Sequence, residues 1–317
     1  RRQRQMCIRD RAKEMINFVP GIVPGIGMAM NCFTQKGDKV MIQPPVYHPF
    51  AWVTTRNERT LVTNPLKWEN GMYRMDLDTF REQIKGCKLF ILCNPHNPGG
   101  VVWTEAELRA IADICYDEKV LVFSDEIHAD LTLPPHTHRP FATVSEKARM
   151  NSVTFMSPSK AFNMPGLSAS HALIFNEDLR KRFRIYMDAG ELDMGHVFAF
   201  LSVEAAYSHG TEWLDQCLAY IQGNIDFVDD FLKNHAPKIK AIRPEASYLV
   251  WLDCRELKLS QKDLNEFFVD KAHLALNDGE MFGKEGIGFM RLNVASPRCI
   301  IEKAMKQLAD AYQLYIK

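Results

Sequence analysis

Ser157-Pro158-Ser159-Lys160-Ala161-Phe162-Asn163-Met164-Pro165-Gly166-Leu167 follows directly on Ser152-Val153-Thr154-Phe155-Met156, a β-branched and aromatic run that reads as a buried strand. The strand therefore delivers a serine and a lysine to the loop at its carboxyl end, where open α/β sheets place their ligands. Taken alone, a lysine there reads first as a solvated surface charge. Two further strand ends change the weighing. Lys88–Cys93 runs into Asn94-Pro95-His96-Asn97-Pro98-Gly99-Gly100, and Val120–Ser124 runs into Asp125-Glu126-Ile127-His128. Asn/His, Asp/His and Ser/Lys thus gather on one edge of a sheet, and that convergence predicts a site.

The three motifs NPHNPGG, SDEIHADL and SPSKAFNMPGL, in this order, resemble the fold-type I pyridoxal-phosphate enzymes of the class I/II aminotransferase superfamily. Within that superfamily, DEIHADL and QPPVYHPF are similar to the MalY/PatB-type cystathionine β-lyases. The resemblance runs from about residue 16 to the C-terminus. It implies an α/β fold: a large domain built on a mostly parallel seven-stranded sheet flanked by helices, plus a smaller α+β C-terminal domain. The expected boundaries are 12–236 for the large domain, including an interdomain helix, and 237–317 for the small one.

The chemistry follows from the same likeness. Pyridoxal 5'-phosphate needs an amine for its aldehyde and a carboxylate for its ring nitrogen, which makes the ring an electron acceptor. The resemblance assigns Lys160 to the Schiff base and Asp125 to the ring nitrogen, with Tyr47 stacked on the ring and counted among the catalytic groups. Asn97 and His128 fall where the family bonds the ring hydroxyl; most relatives outside the lyase branch carry Tyr in place of His128. Ser157 and the backbone of Ile22 and Val23 are assigned to the phosphate. Arg291, with Asn97, is assigned to the substrate α-carboxylate, for which a guanidinium fork is suited. Without the resemblance, Tyr47 reads as a half-buried loop tyrosine, Arg291 as an edge-strand residue facing solvent and His128 as a satisfied buried imidazole. Glu126 points to the other face of its strand and is expected to be structural. The implied reaction is α,β-elimination from cystathionine or another cysteine S-conjugate to a thiol, pyruvate and ammonia. A class I/II aminotransferase is the alternative, and a non-catalytic regulatory protein on the same fold is a third reading. The likeness also implies a homodimer with shared active sites and a small amino-acid substrate.

Composition is that of an ordinary globular protein. The 317 residues are 46% hydrophobic and 25% charged, with 39 basic and 39 acidic side chains. The balance gives no reason to expect nucleic acid or an anionic membrane as partner. No apolar run approaches the ~18–20 residues of a membrane span. Eight cysteines without a Cys-x-x-Cys pair predict reduced thiols, a cytoplasmic location and no metal site. Residues 1–11, RRQRQMCIRDR, hold five arginines and no apolar segment. They resemble nothing in the family and are expected to be a non-native or disordered tail on an N-terminally truncated chain.

Along the chain, Met15–Val19 reads as a strand and Pro20–Gly25 as a turn into a helix reaching Phe33. Lys39–Ile42 is a strand that ends in the Tyr47 loop. Thr104-Glu105-Ala106-Glu107 is a capping box, and Leu108, Ile111, Ala112 and Cys115 keep helical spacing behind it. Strand 88–93, this helix and strand 120–124 form a βαβ unit, so the two strands are parallel. His171–Phe175 is expected to be a strand and Glu177–Met187 a helix. A long helix over 213–234 carries the stripe Trp213, Leu214, Leu218, Ile221, Ile225, Val228 and Leu232. Strands are expected at 247–252 and 288–294, with helices at 264–272 and 300–314. In the last strand Phe289, Arg291 and Asn293 share a face.

Overall fold

The computed structural model describes residues 13–315; the expectation for residues 1–11 lies outside the described residues. The chain enters through β1 (Ile16–Val19) and α1 (Ile22–Phe33), then β2 (Lys39–Ile42), α2 (Pro49–Arg56) and β3 (Thr60–Thr63). A hairpin of β4 (Lys67–Glu69) and β5 (Met72–Arg74) leads through α3 (Leu77–Gln83) to β6 (Cys87–Cys93). Next come α4 (Glu105–Asp117), β7 (Leu121–Asp125), α5 (Glu146–Met150), β8 (Ser152–Met156), β9 (Ser170–Leu173) and α6 (Glu177–Ala189). The C-terminal part holds α7 (Val197–His209), α8 (Thr211–His235), β10 (Lys240–Ile242), β11 (Leu249–Asp253) and α9 (Gln261–Glu266). After α9 come β12 (Asn277–Asp278), β13 (Phe289–Asn293) and α10 (Arg298–Tyr315).

Seven strands form one sheet in the order β1-β9-β8-β7-β6-β2-β3. β3, β2, β6, β7 and β8 are parallel, while β9 runs against both β8 and β1. The expected mostly parallel seven-stranded sheet is therefore present. Its central strands are apolar in both directions because both faces are covered. Along β6, Leu89, Ile91 and Cys93 pack with α1 and α6, whereas Phe90 and Leu92 pack on the opposite side with α4. The capping box at the start of α4 is complete: Thr104 Oγ1 accepts from Glu107 N–H, and Glu107 accepts from Thr104 N–H.

A second sheet, β10-β11-β13-β12, is antiparallel throughout. Its inner face packs against α8 and α10 through residues such as Val250, Leu252, Met290 and Leu292. From its other face Trp251 and Phe289 join Phe282 in the cluster that contains Phe90 and Trp103. The two sheets thus share apolar contacts. The boundary proposed at 236/237 falls just after α8.

Three readings from sequence need adjustment. Trp213 does not belong to the buried stripe of α8: it is 48% exposed, while Leu214, Leu218, Ile221, Ile225, Val228 and Leu232 are buried. The helix expected at 264–272 starts earlier, at Gln261, because Ser260 caps it by accepting from Asp263 N–H, and it widens into a π-helical turn over Phe267–Lys271. α7 was not anticipated, since its apolar side chains surround the helix and leave no stripe to read.

The paired glycines of NPHNPGG also find their reason here. Gly100 has φ +70°, and a Cβ on it would lie 2.5 Å from Pro244 Cβ and 2.8 Å from Pro244 Cα. The close approach lets Gly100 O accept from the N–H groups of Glu245 and Ala246, at 2.9 and 3.1 Å. Gly100→Ala combines a left-handed backbone with backbone overlap. It is expected to cost on the order of 3 kcal/mol, read as a lower urea midpoint with an unchanged slope; a midpoint equal to that of the parent would contradict this packing.

Candidate active site

Strand register brings the polar groups together. Cys93 is opposite Asp125 across β6 and β7, and Asp125 is opposite Phe155 across β7 and β8. The three neighbouring strands end level, and the loops that leave them line a cavity of about 440 Å³. Asn97 arrives from the β6 loop, Asp125 and His128 from the end of β7 and the turn after it, and Lys160 from the loop after β8. Ile22 and Val23 bring the first turn of α1, where backbone N–H groups have no helical acceptor and the positive dipole end faces out. Tyr47 comes from the loop before α2, and Arg291 crosses from the second sheet.

Eight of the nine residues singled out from sequence therefore line one cavity: Ile22, Val23, Tyr47, Asn97, Asp125, His128, Lys160 and Arg291. Ser157 is not among its walls. It is buried just behind, its hydroxyl donating to Ala169 O at 2.7 Å and its oxygen accepting from Ser159 N–H at 3.1 Å. Glu126 faces away from the cavity, as expected. It accepts from Ser124 Oγ at 2.9 Å and Phe141 N–H at 2.8 Å and pairs with His138 Nε2 at 2.9 Å, so it ties the 138–141 loop to the end of β7.

The electrostatics are those of a water-poor site. Burial raises the Asp125 pKa to about 7, and the nearby Glu126 carboxylate pushes the same way. The Ile127 N–H, donated to Asp125 Oδ1 at 3.1 Å, and the Lys160 charge pull it back only in part. His128 is neutral at pH 7, because burial, then Lys160 and Arg291, lower it to about 3; its Nδ1 is buried without a hydrogen-bond partner. Burial also raises the Tyr47 hydroxyl, with Asp125 adding to the effect. His96 serves the loop: its Nε2 is 2.9 Å from Pro45 O, and its Nδ1 accepts from Gly99 N–H at 3.3 Å, which fixes a neutral tautomer. Arg291 holds Asn97 Oδ1 with Nη1 at 2.8 Å and Asn277 Oδ1 with Nη2 at 2.8 Å, and it lies 4.6 Å over the Phe282 ring. Burial lowers its pKa to about 10, which leaves it charged at neutral pH.

Sequence reading missed several walls of the cavity. His48 and Tyr248 had usable signals, one adjacent to Tyr47 and the other inside an expected strand; Asn293 had been placed on the face of Arg291. Asn277 had none, since β12 is only two residues long and has no period to detect.

The family described as aminotransferase class I and II matches residues 4–308. Cystathionine beta-lyase PatB of Bacillus subtilis is 39% identical over 300 residues, covering 94% of this chain and 78% of that protein. Among solved structures, cystalysin from Treponema denticola, which contains a pyridoxal 5'-phosphate cofactor, superimposes with a TM-score of 0.94 at 35% identity, covering 96% of this chain and 78% of that one. The C-S lyase from Staphylococcus hominis, bound to the same cofactor, gives 0.88 at 33% identity, covering 95% and 77%.

The raised Asp125 makes ligand-free stability depend on pH. Its native pKa of about 7 lies above the ordinary value near 3.8. The native state therefore keeps a proton that the unfolded chain releases, and this contribution is full below the ordinary value and lost as pH rises through about 7. Asp125→Asn removes the titration at nearly constant volume. The variant is expected to gain stability over the parent as pH rises, by on the order of a few kcal/mol between about pH 4 and about pH 8. Urea unfolding of the ligand-free proteins at several pH values checks it, and a gap that does not widen with pH refutes it.

Proposed function

The chain belongs to the aminotransferase class I and II family, and from that premise we propose that it is a pyridoxal-phosphate carbon–sulfur β-lyase. The carrying observation is the meeting of Lys160, Asp125 and Arg291 on one cavity, in a chain 39% identical to a cystathionine β-lyase. The alternative, an aminotransferase, shares every residue up to the loss of the Cα proton.

The walls suit the cofactor. A buried carboxyl such as Asp125, whose charged form is costly, is matched by a protonated ring nitrogen. The unpartnered Nδ1 of His128, with Asn97, suits a ring hydroxyl. The N–H groups at the start of α1 suit a phosphate, and Tyr47 would lie against the ring. Ser157 would join the phosphate only if its hydroxyl turned away from Ala169. Lys160 is the amine to which the aldehyde carbon would be attached.

When bound, pyridoxal phosphate supplies an electron sink that stabilises negative charge at the substrate Cα. The residues of this chain do the rest. Arg291 would hold the substrate carboxylate and so orient the substrate Cα within the cavity. The Lys160 amine takes the Cα proton, acting as general base. Asp125 would keep the ring nitrogen protonated while charge develops at the substrate. With the proton removed, the Cβ–S bond breaks and the electron pair leaves on sulfur. Water then completes the balance: R–S–CH₂–CH(NH₃⁺)–COO⁻ and H₂O give R–SH, pyruvate and ammonium.

A homodimer belongs to this reading. Met194, Val197, Phe198 and Leu201 are 74%, 61%, 68% and 55% exposed on and just before α7, a cluster of large apolar groups that a second copy would cover. A cytoplasmic location rests on the cysteine content; no helix among the described residues is long and apolar enough to cross a membrane.

Four outcomes are expected. The holoprotein incubated with cystathionine and no 2-oxo acid releases pyruvate and free thiol in equal amounts over many turnovers; a single turnover that resumes only on adding 2-oxoglutarate establishes the aminotransferase. Lys160→Ala lowers the rate by roughly 10³-fold or more, and borohydride reduction of the parent followed by peptide mapping finds the pyridoxyl group on Lys160 and on no other lysine. Phe198→Asp shifts the protein toward monomer in light scattering with its helix content kept; an unchanged mass would move the interface elsewhere.

A further inference from the structure

Arg291 is a half-buried cation whose two hydrogen-bond partners among the described residues are neutral amides. Since a guanidinium has only donors, each amide must offer its oxygen, and both do so at 2.8 Å. Asn97 belongs to the loop after β6. Asn277 is different: it sits directly opposite Arg291 in the β12–β13 ladder, on the same face of the sheet, and is exposed at the cavity wall. Its strand is two residues long, yet it is firmly pinned. The neighbouring Asp278 accepts from Gln261 Nε2 at 2.6 Å, from Asn265 Nδ2 at 2.6 Å and from Glu280 N–H at 2.8 Å. Gln261 in turn accepts from Gly288 N–H at 2.7 Å, just before β13. A polar bracket from α9 thus fixes the register that presents Asn277 to Arg291.

We propose that Asn277 is the positioning residue that aims the Arg291 guanidinium at the substrate α-carboxylate. This rests on the lyase reading above and adds a residue to it. Asn97 and Asn277 hold one Nη each and the Phe282 ring supports the guanidinium plane, so neutral groups orient the cation, which has no counter-anion among the described residues. An amide suits this task and a carboxylate does not: an aspartate at the position would keep the geometry and neutralise the charge that the substrate needs.

The test measures binding of L-alanine to the holoprotein by calorimetry, because this probe carries the α-carboxylate but no leaving group. Asn277→Ala is expected to weaken L-alanine by roughly tenfold and Asn277→Asp by roughly a further tenfold, with melting temperatures close to the parent. In turnover, KM rises by a similar factor and kcat stays within roughly threefold. Asp278→Ala, which releases the bracket without touching Arg291, moves binding in the same direction by less. L-Alanine binding within twofold of the parent in Asn277→Ala, while Arg291→Lys loses it, overturns the role of Asn277 and leaves the lyase reading standing. Unchanged binding in Arg291→Lys overturns the carboxylate assignment itself, and this proposal with it.

Discussion

The carboxyl group of Asp125 is enclosed at the end of β7 with a single backbone N–H donated to one oxygen and a second carboxylate, Glu126, next to it in the chain. Removing two neighbouring acids from water is costly unless each receives a separate solution. Glu126 receives three hydrogen-bond partners on the far side of its strand, which also anchor the 138–141 loop. Asp125 receives none comparable, and its pKa rises to about 7 in consequence. The surrounding walls follow the same logic: His128 is kept neutral, while Arg291 keeps its charge at neutral pH and shares the cavity wall with Lys160. The proposed reading fits this interior, since its occupant would bring a proton to Asp125 and an anion to Arg291.

That arrangement depends on strands whose sequence permits little else. β6, β7 and β8 carry mainly apolar side chains to both faces, so the polar groups that reach the cavity come from where the strands end. This is why the site was legible: three apolar runs each terminated in a polar pair, and a sheet of parallel strands aligns such ends. The capping box of α4 and the buried stripe of α8 were legible for the same reason, since each is a local pattern with a direct physical meaning.

What could not be read lay where local pattern and tertiary demand separate. Trp213 keeps helical spacing with its neighbours yet stands outside the buried stripe. β12 is too short for any period, and its existence depends on the Asp278 bracket rather than on its own propensity. Nothing in Ser170–Leu173 announces that β9 runs antiparallel to β8, because direction is set by the long loop before it. Ser157 was placed on the cavity from its position after a strand, but that position does not fix which way a hydroxyl turns, and the Ala169 carbonyl claims it.

The hydrogen bond from Arg291 to Asn97 spans 194 positions of the chain. During synthesis, residues that include Lys160 and Asp125 emerge long before the strand that carries Arg291. A nascent chain can pair β6 with β7 and β8 before the wall that holds Arg291 exists, so on the proposed reading the cofactor end and the carboxylate end of the cavity are completed at different moments of translation. The same separation makes the Arg291–Asn97 contact a sensitive reporter of misassembly: a molecule with a well-formed large sheet and a misdocked C-terminal sheet keeps Lys160 in place and loses that hydrogen bond.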